Sequence, residues 1–359
     1  SCYKEGKGVA ANTIRSNEWE QRFQRKGGTM VLPDICVLYN EGVSKYPENY
    51  SSNPNNNYAT EENPASNRTT SQNTIINKVT IVQQVSETPA TERKETSAHK
   101  SDIDISIPTN TQDNTNTFVL IIANENYKKV CRVPFAGNDG KTFEQYCIKT
   151  LGIPQTNIHT LIDATLNDMR HEIKWMQDIM SVYKGEAKVI FYYAGHGIPD
   201  EQSKNAYLLP IDGYGSDVTT GYSLANMYKI LGDMPSKSTT IFLDACFSGS
   251  TRNGNMLASA RSVAIKVRTN SPTGNMVVFT AAQGGETAYP FKERSHGLFT
   301  YYLLKKLQET KGNVTLGELG DYIQTQVKRQ SIVTNGKLQS PAILTAPKLG
   351  NNWKNWKLK

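Results

Sequence analysis

Two stretches of this chain end alike, and their shared form restricts the folds open to it. Ala187–Ala194 (Ala-Lys-Val-Ile-Phe-Tyr-Tyr-Ala) runs into Gly195-His196-Gly197. Thr239–Leu243 (Thr-Thr-Ile-Phe-Leu) runs into Asp244-Ala245-Cys246-Phe247-Ser248-Gly249. Each run has the length of one strand and is largely apolar throughout. Such runs belong to parallel strands covered on both faces. Phe118–Ala123 and Met276–Thr280 have the same form, and Ile158–Ile162 and Ala342–Thr345 read as shorter strands. Amphipathic stretches alternate with them. Asn138-Asp139 opens one through about Leu151, and Thr165 caps one through about Tyr183. Others lie near Ser223–Leu231, Leu298–Leu307 and Leu316–Gln330. Strands alternating with helices predict an α/β fold, a mostly parallel central sheet with helices on both faces. In such sheets chemistry sits outside the carboxyl ends of the strands. A histidine and a cysteine are delivered there, 50 residues apart.

The remaining composition excludes several classes. A length of 359 residues allows one sizeable domain plus extras. The net charge of +7 is spread along the chain, with no Lys/Arg block, so no nucleic-acid tail is expected. No apolar run approaches the length of a membrane span. The five cysteines (Cys2, Cys36, Cys131, Cys147, Cys246) are odd in number and scattered, with no CxxC pair. That argues against a disulfide framework or a zinc site. A working thiol then suits a reducing cytoplasm. Residue 1 is Ser rather than Met, and no leader pattern follows. The chain is expected to be a fragment or a processed form, which leaves an exported form open.

Residues 1–26 carry Tyr3, Gly6, Gly8, Val9, Asn12 and Trp19. Their spacing resembles the second half of a Sel1-like repeat, a helical-hairpin unit, with Ser16 and Phe23 in place of the usual alanines. One repeat cannot bury its own face and normally stacks on neighbours, which implies a protein partner or further repeats. The alternative is a lone amphipathic helix. Residues 27–116 read as a flexible linker, since 51–74 hold seven Asn, four Ser and four Thr among 24 residues. Ile75–Val85 is a β-branched island within it. Residues 117–349 form the folded domain, and 350–359 a tail.

The stretches Tyr193-Ala-Gly-His-Gly197, Leu243-Asp-Ala-Cys-Phe-Ser-Gly249 and Gly297-Leu-Phe-Thr-Tyr-Tyr-Leu303 together resemble the caspase/metacaspase family of cysteine peptidases. A histidine about 50 residues before the cysteine is that family's spacing. The resemblance spans roughly residues 117–346 and implies a caspase-like three-layer sandwich. The chemistry reads independently of it: a thiolate is the nucleophile, and a neighbouring histidine takes and returns the proton. Cys246 is the nucleophile and His196 the base. The resemblance implies an oxyanion hole of the Gly197 and Cys246 amides, and no third triad member stands out. The competing reading of Cys246 is a buried small hydrophobe. Cys147 reads as core and Cys131 as a loop residue. His159, His171 and His296 read as ordinary histidines, His296 as one in a surface loop.

Asp139 and Asp244 match the family positions of the acidic residues that bind a basic P1 side chain. Paired carboxylates in one pocket favour a cation between them, and guanidinium binds carboxylates in bidentate fashion. The expectation is cleavage after Arg, then Lys, and rejection of Asp. The plainer alternative makes Asp139 a helix cap and Asp244 a strand-end acceptor. The polar stretch 250–275 occupies the place of the family's activation loop. It offers Arg252, Arg261, Lys266 and Arg268 for self-cleavage. Many metacaspases hold calcium on clustered aspartates, but Asp200, Asp212 and Asp217 are dispersed here, so no cofactor and no metal are expected. The family resemblance also implies a monomer. The alternative function is a catalytically latent caspase-like scaffold acting through its helical repeat.

Overall fold

The computed structural model describes residues 101–248 and 271–359. The Sel1-like stretch, residues 27–100 of the linker, and Arg252, Arg261, Lys266 and Arg268 lie outside them. In chain order, helix α1 (Asp102–Ile105) precedes strand β1 (Thr117–Ala123), helix α2 (Ala136–Lys149), β2 (Ile158–Ile162), α3 (Leu166–Tyr183) and β3 (Lys188–Ala194). Three short strands follow: β4 (Gly197–Pro199), β5 (Ala206–Leu208) and β6 (Tyr222–Ser223). Then come α4 (Leu224–Asp233), β7 (Ser238–Asp244) and β8 (Met276–Thr280). The chain continues through β9 (Pro290–Phe291), β10 (His296–Gly297), α5 (Leu298–Thr310), α6 (Leu316–Asn335) and β11 (Ala342–Thr345).

The central sheet has the order β11-β8-β7-β3-β1-β2. Only β11 runs antiparallel to its neighbour. Every residue of β1 and β8 is buried, because both sheet faces are covered. Alternate residues feed two separate cores. Val119, Ile121, Ile190, Tyr192, Phe242 and Phe279 pack beneath α2, α5 and α6. Phe118, Leu120, Phe191, Tyr193, Ile241 and Val278 pack beneath α3 and α4. Three layers result, as expected for an α/β chain with such strands.

Local chemistry sets the helix starts. Thr165 and Asp168 form a capping box on α3, and Thr315 and Glu318 another on α6. Ser223 caps α4. Helix α2 begins at Ala136, two residues before the expected start at Asn138-Asp139, and Asp139 sits in its first turn, one of the two places its residue type suggests. The capping is done by Glu125, whose Oε2 accepts the Gly137 N–H at 2.9 Å.

Two segments outside the expected domain pack against it. Residues 101–116, assigned to the linker, contain fully buried Ile103, whose carbonyl accepts the Tyr146 hydroxyl at 2.9 Å. In the tail, Trp353 and Leu358 are buried, and the Trp356 carbonyl accepts the Leu316 N–H at 2.7 Å. Residues 101–116 are rich in Asp, Asn and Thr and residues 350–359 in Asn and Lys, which hid their few apolar anchors.

Candidate active site

Strand register brings the ends that carry His196 and Cys246 side by side. Ala194 of β3 pairs with Asp244 of β7, and the Gly195 N–H donates to the Asp244 carbonyl at 3.3 Å. His196 and Cys246 each lie two residues beyond that level pair, on neighbouring strand ends. Gly197 shows how closely the two chains approach. A Cβ there would stand 2.4 Å from the Phe247 ring and 2.7 Å from the Cys246 carbonyl oxygen, so only glycine fits.

His196 is buried and held at its backbone and its ring. Its N–H donates to the Tyr127 hydroxyl at 2.8 Å, and its carbonyl accepts the Tyr193 hydroxyl at 2.8 Å. Burial pushes both phenols well above their ordinary pKa, so both remain neutral hydroxyls. The Tyr127 ring also packs against the imidazole, centroids 4.7 Å apart. The ring Nε2 lies 2.7 Å from the Cys131 carbonyl. A carbonyl only accepts, so Nε2 carries the hydrogen, and in the neutral ring Nδ1 is the basic nitrogen. A backbone carbonyl, that of Cys131, thereby orients the ring. Tyr127 stands in the Asn124–Tyr127 stretch at the carboxyl end of β1, where sheet chemistry is expected; its hydroxyl contact was beyond sequence reasoning.

Cys246 is buried, and its sulfur accepts the Ala288 N–H at 2.7 Å. An N–H aimed at sulfur favours the thiolate over the thiol. Ala288 belongs to the segment between β8 and β9, which also takes the Ser248 hydroxyl on the Glu286 carbonyl at 3.3 Å. Cys147 is fully buried core, and burial pushes its thiol well above its ordinary pKa. Cys131 lies in the loop after β1, as expected, but it is disulfide-bonded, which runs against the expectation drawn from the odd, scattered cysteines.

Asp139 and Asp244 are both fully buried, and both address the first turn of α5. The Gly297 N–H donates to Asp139 at 3.1 and 3.0 Å, and the Thr300 hydroxyl donates to Asp244 Oδ2 at 2.6 Å. A helix N-terminus stabilises negative charge, so the location suits two carboxylates. His296 is not a surface residue: it is fully buried, with Nδ1 2.8 Å from Asp139 Oδ1. Its burial was not legible, because Ser295-His296-Gly297 reads as a turn.

Of the aspartates considered for calcium, Asp200 and Asp217 serve local turns and Asp212 holds the first N–H of α3. Asp200 holds Ser203 and the Gln202 N–H, Asp212 accepts the Leu166 N–H at 3.1 Å, and Asp217 accepts the Thr219 N–H at 3.0 Å. Among the described residues no three His, Cys, Asp or Glu side chains gather to hold an ion. These residues do not fit a calcium site. No helix of the described residues is long and apolar enough to cross a membrane.

No curated protein matches the chain. Among solved structures, a protein from Geobacter sulfurreducens shares 14% identity, covering 67% of this chain and 97% of its own, with a TM-score of 0.50. Caspase-1 from Spodoptera frugiperda shares 15% identity over 67% of this chain and 92% of its own, with a TM-score of 0.46. The family model of the caspase domain, peptidase family C14, matches residues 116–348. With its three-layer sheet, and with His196 and Cys246 at adjoining strand ends, the chain belongs to the caspase-domain family.

Proposed function

We propose that the chain is a cysteine endopeptidase of metacaspase type that cleaves after Arg, and less well after Lys. The observation that carries this is the level register of Ala194 and Asp244, which sets His196 beside Cys246. Cys246 Sγ attacks the scissile carbonyl carbon, and the carbonyl π electrons move to oxygen. The Gly197 and Cys246 backbone N–H groups stabilise that oxyanion. His196 Nδ1 holds the thiol's proton and delivers it to the leaving amine as the C–N bond breaks. Water, deprotonated by the same nitrogen, then attacks the thioester, and the sulfur leaves as thiolate. Asp139 and Asp244 form the S1 wall for the substrate's cation.

Substrates are peptides or proteins with a basic P1 residue, and the enzyme works as a monomer without calcium. Self-processing uses one of Arg252, Arg261, Lys266 or Arg268. The N-terminal Sel1-like stretch recruits a protein partner. A second reading, a latent scaffold, draws on one observation: Cys246 is only 3% exposed, with Ala288 against its sulfur. Fluorogenic peptides ending in Arg, Lys or Asp, offered to wild type and Cys246→Ala with and without calcium, decide between them. Cleavage after Arg by wild type alone supports the peptidase. Cleavage after Asp overturns the S1 assignment. Silence on every peptide, with the chain intact by mass, favours the scaffold.

A further inference from the structure

Beside the candidate S1 wall stands a group of charges that the reaction itself does not use. His296 Nδ1 faces Asp139 Oδ1 at 2.8 Å, and its Nε2 faces Asp104 Oδ1 at 3.1 Å. Carboxylate oxygens accept, so a carboxylate on each ring nitrogen calls for hydrogen on both, an imidazolium. Asp104 lies in α1, outside the residues that match the caspase domain. Its carboxylate is fixed by the Thr142 hydroxyl at 2.9 Å and the Ser101 N–H at 3.1 Å. The neighbouring charges are paired among themselves. Asp102 takes Lys305 at 2.8 Å and Arg294 at 3.4 Å, with the Tyr301 hydroxyl at 3.1 Å. Tyr146 is neutral and serves the Ile103 carbonyl. Lys141 and Asn138 line the same groove as Asp104.

We propose that His296 is a positioning residue for Asp139, and that Asp104, from the segment preceding the family domain, holds it charged and thereby sets the net charge a basic substrate side chain meets. This rests on the reading of Asp139 and Asp244 as the S1 wall. With Asp104 ionised, the three groups Asp104, His296 and Asp139 carry one net negative charge. Without it, His296 and Asp139 cancel, and a guanidinium meets Asp244 alone. Burial by itself lowers the pKa of His296, but the hydrogen bonds and charges of Asp104 and Asp139 outweigh it and raise it to about 9. Removing one of the two counter-charges brings its deprotonation closer to neutral pH.

The test measures kcat and KM on an Arg-ending peptide from pH 6 to 9, with the full chain and Asp104→Asn. Asparagine keeps the shape and an acceptor oxygen. The expected result is a KM about tenfold higher than wild type near pH 6, the size of one lost charge roughly 12 Å away at an effective dielectric near 20. That excess shrinks as pH rises and His296 loses its proton, while kcat stays within about twofold. His296→Gln carries the opposite sign, a lower KM for the Arg peptide. A KM that follows wild type at every pH overturns the proposal, as does a fall in kcat with KM unchanged. Histidine NMR titration in Cys246→Ala gives a second readout: the His296 midpoint must drop on adding Asp104→Asn, and equal midpoints overturn the coupling. If wild type cleaves nothing after Arg or Lys, the S1 reading fails, while the NMR midpoints still judge the coupling of Asp104 to His296.

Discussion

His196 is held by neutral groups: the Tyr127 and Tyr193 hydroxyls on its backbone and the Cys131 carbonyl on its ring. Asp139 is held by a helix-terminal N–H and by a charged ring, itself gripped by a second carboxylate. The two sites lie at the same end of one sheet. The first must keep a histidine in one tautomer while its charge changes during turnover. Neutral partners do that without biasing the charge strongly. The second must present fixed charge to a substrate, and buried carboxylates stay ionised only when paired or hydrogen-bonded. On the proposed reading, the catalytic end is thus a matter of geometry, and the specificity wall a matter of charge balance.

Mutations should separate the two sites in that way. At the catalytic end, Cys246→Ala is expected to abolish peptide cleavage. His196→Ala should cut kcat roughly 10³-fold, the range of a lost general base; steady-state kinetics with active-site titration check it. On the specificity wall, Asp244→Asn should leave labelling of Cys246 by iodoacetamide intact. It should lower kcat/KM on Arg peptides roughly 100-fold, the upper range for a charged hydrogen bond. Equal loss on a neutral-P1 peptide would break the comparison, since Asp244 would then act on the chemistry.

Tyr127→Phe removes the acceptor of the buried His196 N–H, a loss of about 1–3 kcal/mol. A roughly tenfold fall in kcat with KM unchanged is expected. A change in KM alone would place Tyr127 with the specificity wall instead.

A separate effect is expected on stability. The folded-state pKa of His296, about 9, lies above its ordinary value of 6.5. Its contribution is therefore complete below about pH 6.5 and is lost as pH rises through 9. On the order of 3 kcal/mol should disappear over that window. Thermal melts of Cys246→Ala should show Tm falling from pH 7 to 9.5, and His296→Gln should flatten that slope. A slope unchanged by His296→Gln would assign it to another group.

Much of the candidate site was legible in advance because it depends on local pattern. Wholly apolar runs of strand length marked β1, β3, β7 and β8, and the rule that chemistry gathers at carboxyl ends placed His196 and Cys246 together. Thr165 and Ser223 announced their helices through side-chain oxygens close in sequence. What escaped involved partners far apart in the chain. The Cys131 carbonyl on His196 is a backbone atom, which no residue type can signal. The grip of Asp104 on His296 spans 192 residues. The plainer alternative made Asp139 a helix cap, yet Glu125 does that work and Asp139 turns to Gly297.

The sequence by itself determined the layered α/β architecture and singled out Cys246 and His196 as the candidate nucleophile and base, because period, apolar run length and the residues at strand ends are local properties. The tertiary structure alone decided the histidine's tautomer, the charge state of His296 and the role of residues 101–116. Those depend on which distant donor or acceptor stands within 3 Å in a buried site, and there one hydrogen bond or one counter-charge outweighs any local preference.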